Sequence, residues 1–417
     1  MTPNERNIMA ITCFGHFMSH FNLLVFPALV LPLSVRFGMD LGQVITLAFW
    51  MYFLFGMTAL AWGVLSDIFG AKPLLLVFFT GAGISALVAA FSLGSPQSLS
   101  LCLAGVGLFS GIYHPAGLGL ISRGMSKVGM AMGYNGIAGN IGLAASPLIT
   151  GIINYFLGAK AAFLFLGCFN LSGAFILLLF PVYEPERKKS PGTSTSENHV
   201  AGFLILCVCM MLSGIAYRMA AVIMPSYFEL QNQALFNGLS HVPWLSASRN
   251  VAATAFTSLV FLIGALGQYL GGWVVDRYEP RRSYILFHSI AFFMALLMAY
   301  TTDIPLILVT AGYIMFLMGG QPIENTLVTH FTPEKLRDSA FGIKAILSFG
   351  VGSLSVHMVG WIKMGWSLPA VFVAASGISV LAILFGVILI VVTRGVNFRK
   401  QISELKEPGI GLTPGRG

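Results

Sequence analysis

Apolar stretches of about 20 residues recur from one end of the chain to the other. Each is the length that one helical crossing of a bilayer requires. Inside hydrocarbon every backbone N–H and C=O must be satisfied by the protein itself, which leaves α-helices or closed β-barrels. A barrel would read as ~10-residue segments of alternating polarity, and the chain has none. Composition points the same way: 56% of residues are hydrophobic and 9% charged, against about 25% charged in a soluble chain. The expected fold is an all-α membrane protein of twelve transmembrane helices.

Charge, proline and glycine punctuation place spans near 8–33, 41–65, 73–93, 98–122, 129–154 and 160–181. The polar stretch YEPERKKSPGTSTSENH follows, and then spans near 200–228, 250–275, 283–302, 304–331, 339–363 and 367–393. This gives a six-helix bundle over 1–182, a cytoplasmic linker over 183–199, a second bundle over 200–393 and a tail over 394–417. Lys and Arg fix the orientation. Seventeen of the 23 lie in the termini and the loops on their side, four on the other side (Arg36, Lys160, Arg249, Lys363), and two within spans (Arg218, Lys344). Positive charge stays on the cytoplasmic side, so both termini are expected there, in a bacterial inner membrane.

The net charge of +8 is therefore an orientation signal and not a nucleic-acid footprint. The N-terminus lacks a basic region followed by a small-residue cleavage site, so the first span is expected to remain. All five cysteines lie inside apolar runs and read as small buried hydrophobes. Cys207 and Cys209 point to different helix faces and do not form a ligand pair.

The two halves repeat each other. GVLSDIFGAK (63–72) after span 2 returns as GWVVDRYEPR (272–281) after span 8, matching Gly63 with Gly272, Asp67 with Asp276 and Lys72 with Arg281. His20 stands before Pro27 as Arg218 stands before Pro225, and GMAMG leads span 5 as DSAFG leads span 11. Parallel repeats joined by a polar linker are a transporter signature.

The whole chain resembles the major facilitator superfamily. Its loop motif Gly-x-Leu-x-Asp-x-x-Gly-x-Lys is present as Gly63, Leu65, Asp67, Gly70 and Lys72, with Ile68 and Ala71 where basic residues are usual. An aspartate there can accept N–H groups of the next helix and pair with the basic residue, latching the halves in one state. Asp276, Arg277 and Arg281 are the gating counterparts in the second half, and a plain solvated turn is the alternative. Within the superfamily the chain is most similar to fosmidomycin-resistance-type exporters, through HFMSHFNLLVFPALVLPL (16–33), GIYHPAG (111–117) and YRMAAVIMPSYF (217–228). His20 stands where those exporters carry an acidic residue, so their coupling chemistry does not carry over.

Ionisable groups inside spans are costly and mark pathways. Here they are His16, His20, His114, Arg218, Glu324, Lys344 and His357, with His330 at a span end. Arg218, near mid-membrane, reads as an anchor for an anionic substrate or a central salt bridge; the alternative is a structural arginine on backbone carbonyls. Glu324 and Lys344 share a depth and are expected to form either a protonation switch or a structural pair. His114 and Asn135 face them by pseudo-symmetry. His16 and His20 share a helix face and suit a proton relay or simple packing. Gly133, Gly136, Gly139 and Gly142 allow close helix approach, and in superfamily antiporters such a span 5 goes with export.

No paired-carboxylate site, Gly-x-Ser-x-Gly, His-Glu-x-x-His or phosphate loop is present. The reading is thus a non-enzymatic secondary transporter without cofactor. It is expected to work as a monomer, moving a small organic anion or drug-like compound by proton-coupled export. Its partners are that substrate, a proton or other ion gradient and the lipid bilayer, with no nucleic acid. Two other readings stand: a metal-ion carrier, iron for example, using His16, His20 and His114, which Arg218 in the same cavity opposes; and a membrane scaffold or sensor.

Overall fold

The computed structural model describes residues 1–184, 197–238, 248–333 and 337–395. Most of the expected linker and tail therefore lies outside the described residues. Those that are described form helices joined by short turns, with no strand among them.

Local chemistry sets the boundaries. The first helix, Pro3–Phe37, opens with a capping box: Thr2 Oγ1 accepts from Glu5 N–H while Glu5 accepts from Thr2 N–H, and Pro3 occupies the first turn. It closes on Gly38 in the left-handed region. Asp40 and Gln43 make a second capping box on Leu41–Thr46. Span 2 continues through Phe49–Met57 and Ala59–Phe69, bent by 47°. Span 3 is Ala71–Phe91, and span 4 is broken at Gly111 between Pro96–Ser110 and Tyr113–Gly124.

The fifth and sixth spans form one helical run, Val128–Leu179, interrupted by Gly158 at φ 80 and ψ 170. No loop separates them, because a single glycine in a conformation closed to other residues turns the chain. Spans 7, 8, 9 and 10 are Glu197–Gln231, Arg249–Val275, Pro280–Met298 and Asp303–Phe331. Span 7 thus begins inside the segment assigned by sequence to the linker. Span 11 changes geometry along its length: Arg337–Ala345 is α, Ile346–Gly350 is π, Val351–Ser353 is 3₁₀ and Leu354–Gly365 is α again. Span 12 is Ala370–Val392.

Among the described residues, nine helices are individually long and apolar enough to cross a bilayer, and the bent pair of span 2 makes a tenth. The break at Gly158 divides one of the nine, and Pro280–Met298 has 19 residues. The architecture is consistent with twelve crossings.

Buried polar residues stitch each half. Asn22 and Asn170 exchange hydrogen bonds, and Asn22 also donates to Ser110. Three tyrosines of the second half, Tyr227, Tyr284 and Tyr313, donate to backbone carbonyls of Met298, Cys209 and Ala216. Between halves, Asp40 meets Lys363 at 3.5 Å and Asn250 donates to the Ala28 carbonyl. Pro147 disrupts the bonding of its own helix, and the next N–H, that of Leu148, donates to Ser258 Oγ across the interface. Asn140 donates to Gln268 at 2.9 Å.

Candidate functional site

Span 1 presents His16 and His20 one turn apart, and the start of Tyr113–Gly124 brings His114 against them. Their candidate ligand atoms all lie within 4.8 Å of one another. His16 Nδ1 is 2.8 Å from the backbone carbonyl of Asn135. A carbonyl can only accept, so His16 carries its proton on Nδ1 and offers a lone pair at Nε2. The His16 Nε2 to His20 Nε2 contact is 3.1 Å, so His20 donates from Nε2. His20 Nδ1 and His114 Nε2 are buried with no hydrogen-bond partner. Both residues nevertheless keep part of their surface accessible.

Asn135 holds the cluster from both ends of its residue. Its carbonyl accepts from His16, while its amide donates to Tyr113 OH at 2.7 Å. Tyr113 in turn donates to the Thr12 carbonyl at 2.8 Å and stacks on His16. Sequence reasoning named Asn135 and His114 but passed over Tyr113, directly beside His114. The structure therefore draws Asn135 and His114 to the span 1 histidines.

Arg218 is buried, 2% exposed. Its guanidinium lies 3.9 Å from the ring centroid of Tyr52 in the other half and 5.9 Å from that of Tyr217. Tyr52 is itself fixed by donating to the Leu23 carbonyl at 2.7 Å. Arg218 Nε has no partner, and no ion pair involves Arg218 among the described residues. The guanidinium is close enough to act electrostatically on His20. Among the described residues, this interior cation rests on aromatic faces and meets no carboxylate.

Glu324 and Lys344 come together as their shared depth suggests. Lys344 Nζ lies 3.0 Å from Glu324 Oε2, but its hydrogen bond goes to Asn325 Oδ1 at 2.7 Å. Neither buried oxygen of Glu324 accepts a hydrogen bond. His288, omitted from the sequence survey, is also buried and packs on Tyr284. His357 packs on Phe49 and Trp361, away from the cluster.

The motif loops resolve into two helix caps. After span 2, Gly70 adopts φ 88 and ψ 162. The N–H groups of Ala71 and Lys72 then donate to Glu184, at 2.9 and 2.6 Å, and Arg123 approaches the same carboxylate at 3.6 Å. The acceptor expected from sequence, Asp67, is exposed, and Glu184 of the linker takes these two N–H groups instead. After span 8, Glu279 accepts from the N–H groups of Arg281 and Arg282. Arg281 also reaches the Thr393 carbonyl and hydroxyl, tying span 9 to the end of span 12. Arg277 folds over Trp273 at 4.4 Å. Gly63 sits beside Pro115, and Asp276 caps span 8.

Residues 10–232 and 206–410 each match the family model of the Major Facilitator Superfamily. The chain belongs to this superfamily. Solved structures agree in fold. A bacterial homolog of the human lysosomal transporter Spinster, inward-facing and unoccupied, superposes with TM-score 0.76 over 95% of this chain and 98% of that one, at 14% identity. The nucleoside transporter NupG gives TM-score 0.71 over 92% and 99%, at 16% identity.

Among superfamily relatives, the multidrug efflux pump Tap of Mycolicibacterium fortuitum is 27% identical over 171 residues. That match covers 40% of this chain and only 38% of the pump's length. The MFS-type transporter YfnC of Bacillus subtilis is 23% identical over 297 residues, 68% of each chain. Family and fold together make this chain a multi-pass membrane protein of a transporter superfamily.

Proposed function

We propose that the chain is a proton-coupled exporter of a small organic anion or anionic drug-like compound, similar to the fosmidomycin-resistance-type exporters and working as a monomer by alternating access. Arg218 carries this reading. A cation buried between the halves, with an open Nε–H and no carboxylate partner among the described residues, is built to receive an anion. On insertion scales an isolated arginine at this depth costs about 2.5–3.5 kcal/mol, and a bound anion offsets that cost. Efflux named for the Tap pump and the glycine run of span 5 support the outward direction.

Coupling falls to Glu324 and Lys344, where proton uptake by the carboxylate would release the lysine and change how spans 10 and 11 pack. Both termini and the linker face the cytoplasm of a bacterial inner membrane on this reading, with six-helix bundles over 1–182 and 200–393. Proteoliposome flux under an imposed pH gradient, with a panel of organic anions and neutral drugs, tests it. Anion flux that follows the gradient is expected. Flux of neutral drugs alone, or flux indifferent to pH, overturns it.

A further inference from the structure

Three imidazoles converging on one point, with neither carboxylate nor thiolate among them, form a donor set suited to zinc, copper, nickel or iron rather than to magnesium or calcium. Two imidazole nitrogens bound tetrahedrally to one zinc at about 2.0–2.1 Å stand roughly 3.3 Å apart. His16 Nε2 and His20 Nε2 stand 3.1 Å apart. The histidine that ligates a metal commonly donates its other N–H to a carbonyl, which fixes its tautomer. His16 does this, to the Asn135 carbonyl.

The remaining donors are open. His114 Nε2 is buried without a partner. His20 needs only to move its proton from Nε2 to Nδ1, a nitrogen that is also unpartnered. That shift leaves the ring neutral and releases no proton.

Charge is the difficulty. Three neutral ligands leave a dication whole, and Arg218 adds a further positive charge within electrostatic reach of His20. A bare ion is disfavoured here. A chelating anion removes the obstacle, because one anionic group can complete the tetrahedron while another meets the Arg218 fork.

We propose that His16, His20 and His114 bind a divalent late transition-metal ion together with the substrate anion, which supplies the fourth ligand and is held by Arg218. The substrate class is then a metal complex of a chelating carboxylate. The inference rests on Arg218 as the anion anchor.

Full-length protein in nanodiscs, titrated with Co2+ alone and with Co2+ and citrate in equal amounts, tests the site through the visible absorption of tetrahedral cobalt. A band is expected in the wild type, at lower Co2+ when citrate is present. His20→Gln and His114→Gln should each weaken binding at least tenfold. Arg218→Ala should retain the Co2+ band and lose the gain from citrate. Unchanged melting of each variant shows that it is folded, and the wild-type titration decides independently of the variants. Absence of a band in the wild type overturns the proposal, as does a band indifferent to the histidine changes or a citrate gain that survives Arg218→Ala. Anion flux that is sensitive to Arg218 but untouched by EDTA would overturn the metal while leaving the anion exporter standing. Joint metal and citrate binding without any gradient-driven flux would support this site and sink the transport reading instead.

Discussion

The guanidinium of Arg218 rests on the face of Tyr52 at 3.9 Å, so a cation from the second half of the chain is seated on an aromatic ring from the first. A desolvated contact of this kind is worth about 0.5–2 kcal/mol. Tyr52→Leu should therefore weaken substrate affinity by about 2- to 30-fold, whereas Tyr52→Phe keeps the ring and should lie near the lower end. Arg218→Lys retains charge but loses the planar fork, so affinity falls. Arg218→Ala should show no measurable binding, with folded protein in both. Wild-type affinity in Arg218→Ala would refute the anion anchor.

Glu324 and Lys344 make a second, separable case. Removing one member of a buried pair leaves the other uncompensated, at a cost of about 3–5 kcal/mol. Glu324→Gln should lower abundance and melting temperature, leaving Lys344 with only Asn325. Adding Lys344→Met should restore abundance without restoring gradient-driven flux. A double variant that still transports against a gradient would make the pair structural.

Much of this arrangement is legible in the sequence, and the reason differs by feature. Span length and composition dictate helices in lipid. The depth shared by Glu324 and Lys344 follows from counting residues inward from adjacent span ends, and the structure pairs them at 3.0 Å. The sequence groups His114 with His16 and His20 only in the metal-carrier reading, whereas pseudo-symmetry sets it with Asn135 opposite Glu324 and Lys344. The convergence itself depends on how span 4 packs against span 1. Tyr52 was missed because a tyrosine in an apolar span is ordinary by composition. Only the tertiary fold shows that its ring receives a cation.

Glu184 illustrates the same limit and gives a third prediction. Nothing near Asp67 in sequence points to a carboxylate from the linker, yet Glu184 caps span 3. Glu184→Gln should destabilise by about 0.5–2 kcal/mol, the usual range for a lost cap. Gly70→Ala meets a harder constraint, since φ 88 and ψ 162 is a region nearly closed to other residues. Its expected cost is about 1–3 kcal/mol. Gly272→Ala, at the helical end of span 8 with open space around it, should be silent. Thermal unfolding in detergent measures all three, and equal melting of Gly70→Ala and Gly272→Ala would remove the strained turn from the account.

The approach of spans 2 and 11 gives the last prediction. A Cβ added at Gly56 would lie 2.0 Å from the backbone nitrogen of Gly350. No rotamer relieves a clash with backbone, so the spans must separate. Gly350 ends the π turn Ile346–Gly350, and such turns mark places where a helix deforms. Beyond it, the same two spans are joined by the Asp40–Lys363 pair. Gly56→Ala should therefore disfavour the state in which this face is closed by about 1–3 kcal/mol, the usual cost of overpacking. That is a shift of roughly 5- to 150-fold in its population. Cysteines introduced as Asp40→Cys and Lys363→Cys should cross-link readily in the parent and slowly once Gly56→Ala is added, with transport reduced in parallel. Gly133→Ala, which meets nothing within 4 Å, serves as the control. Undiminished cross-linking in Gly56→Ala would show that the halves close without this glycine contact.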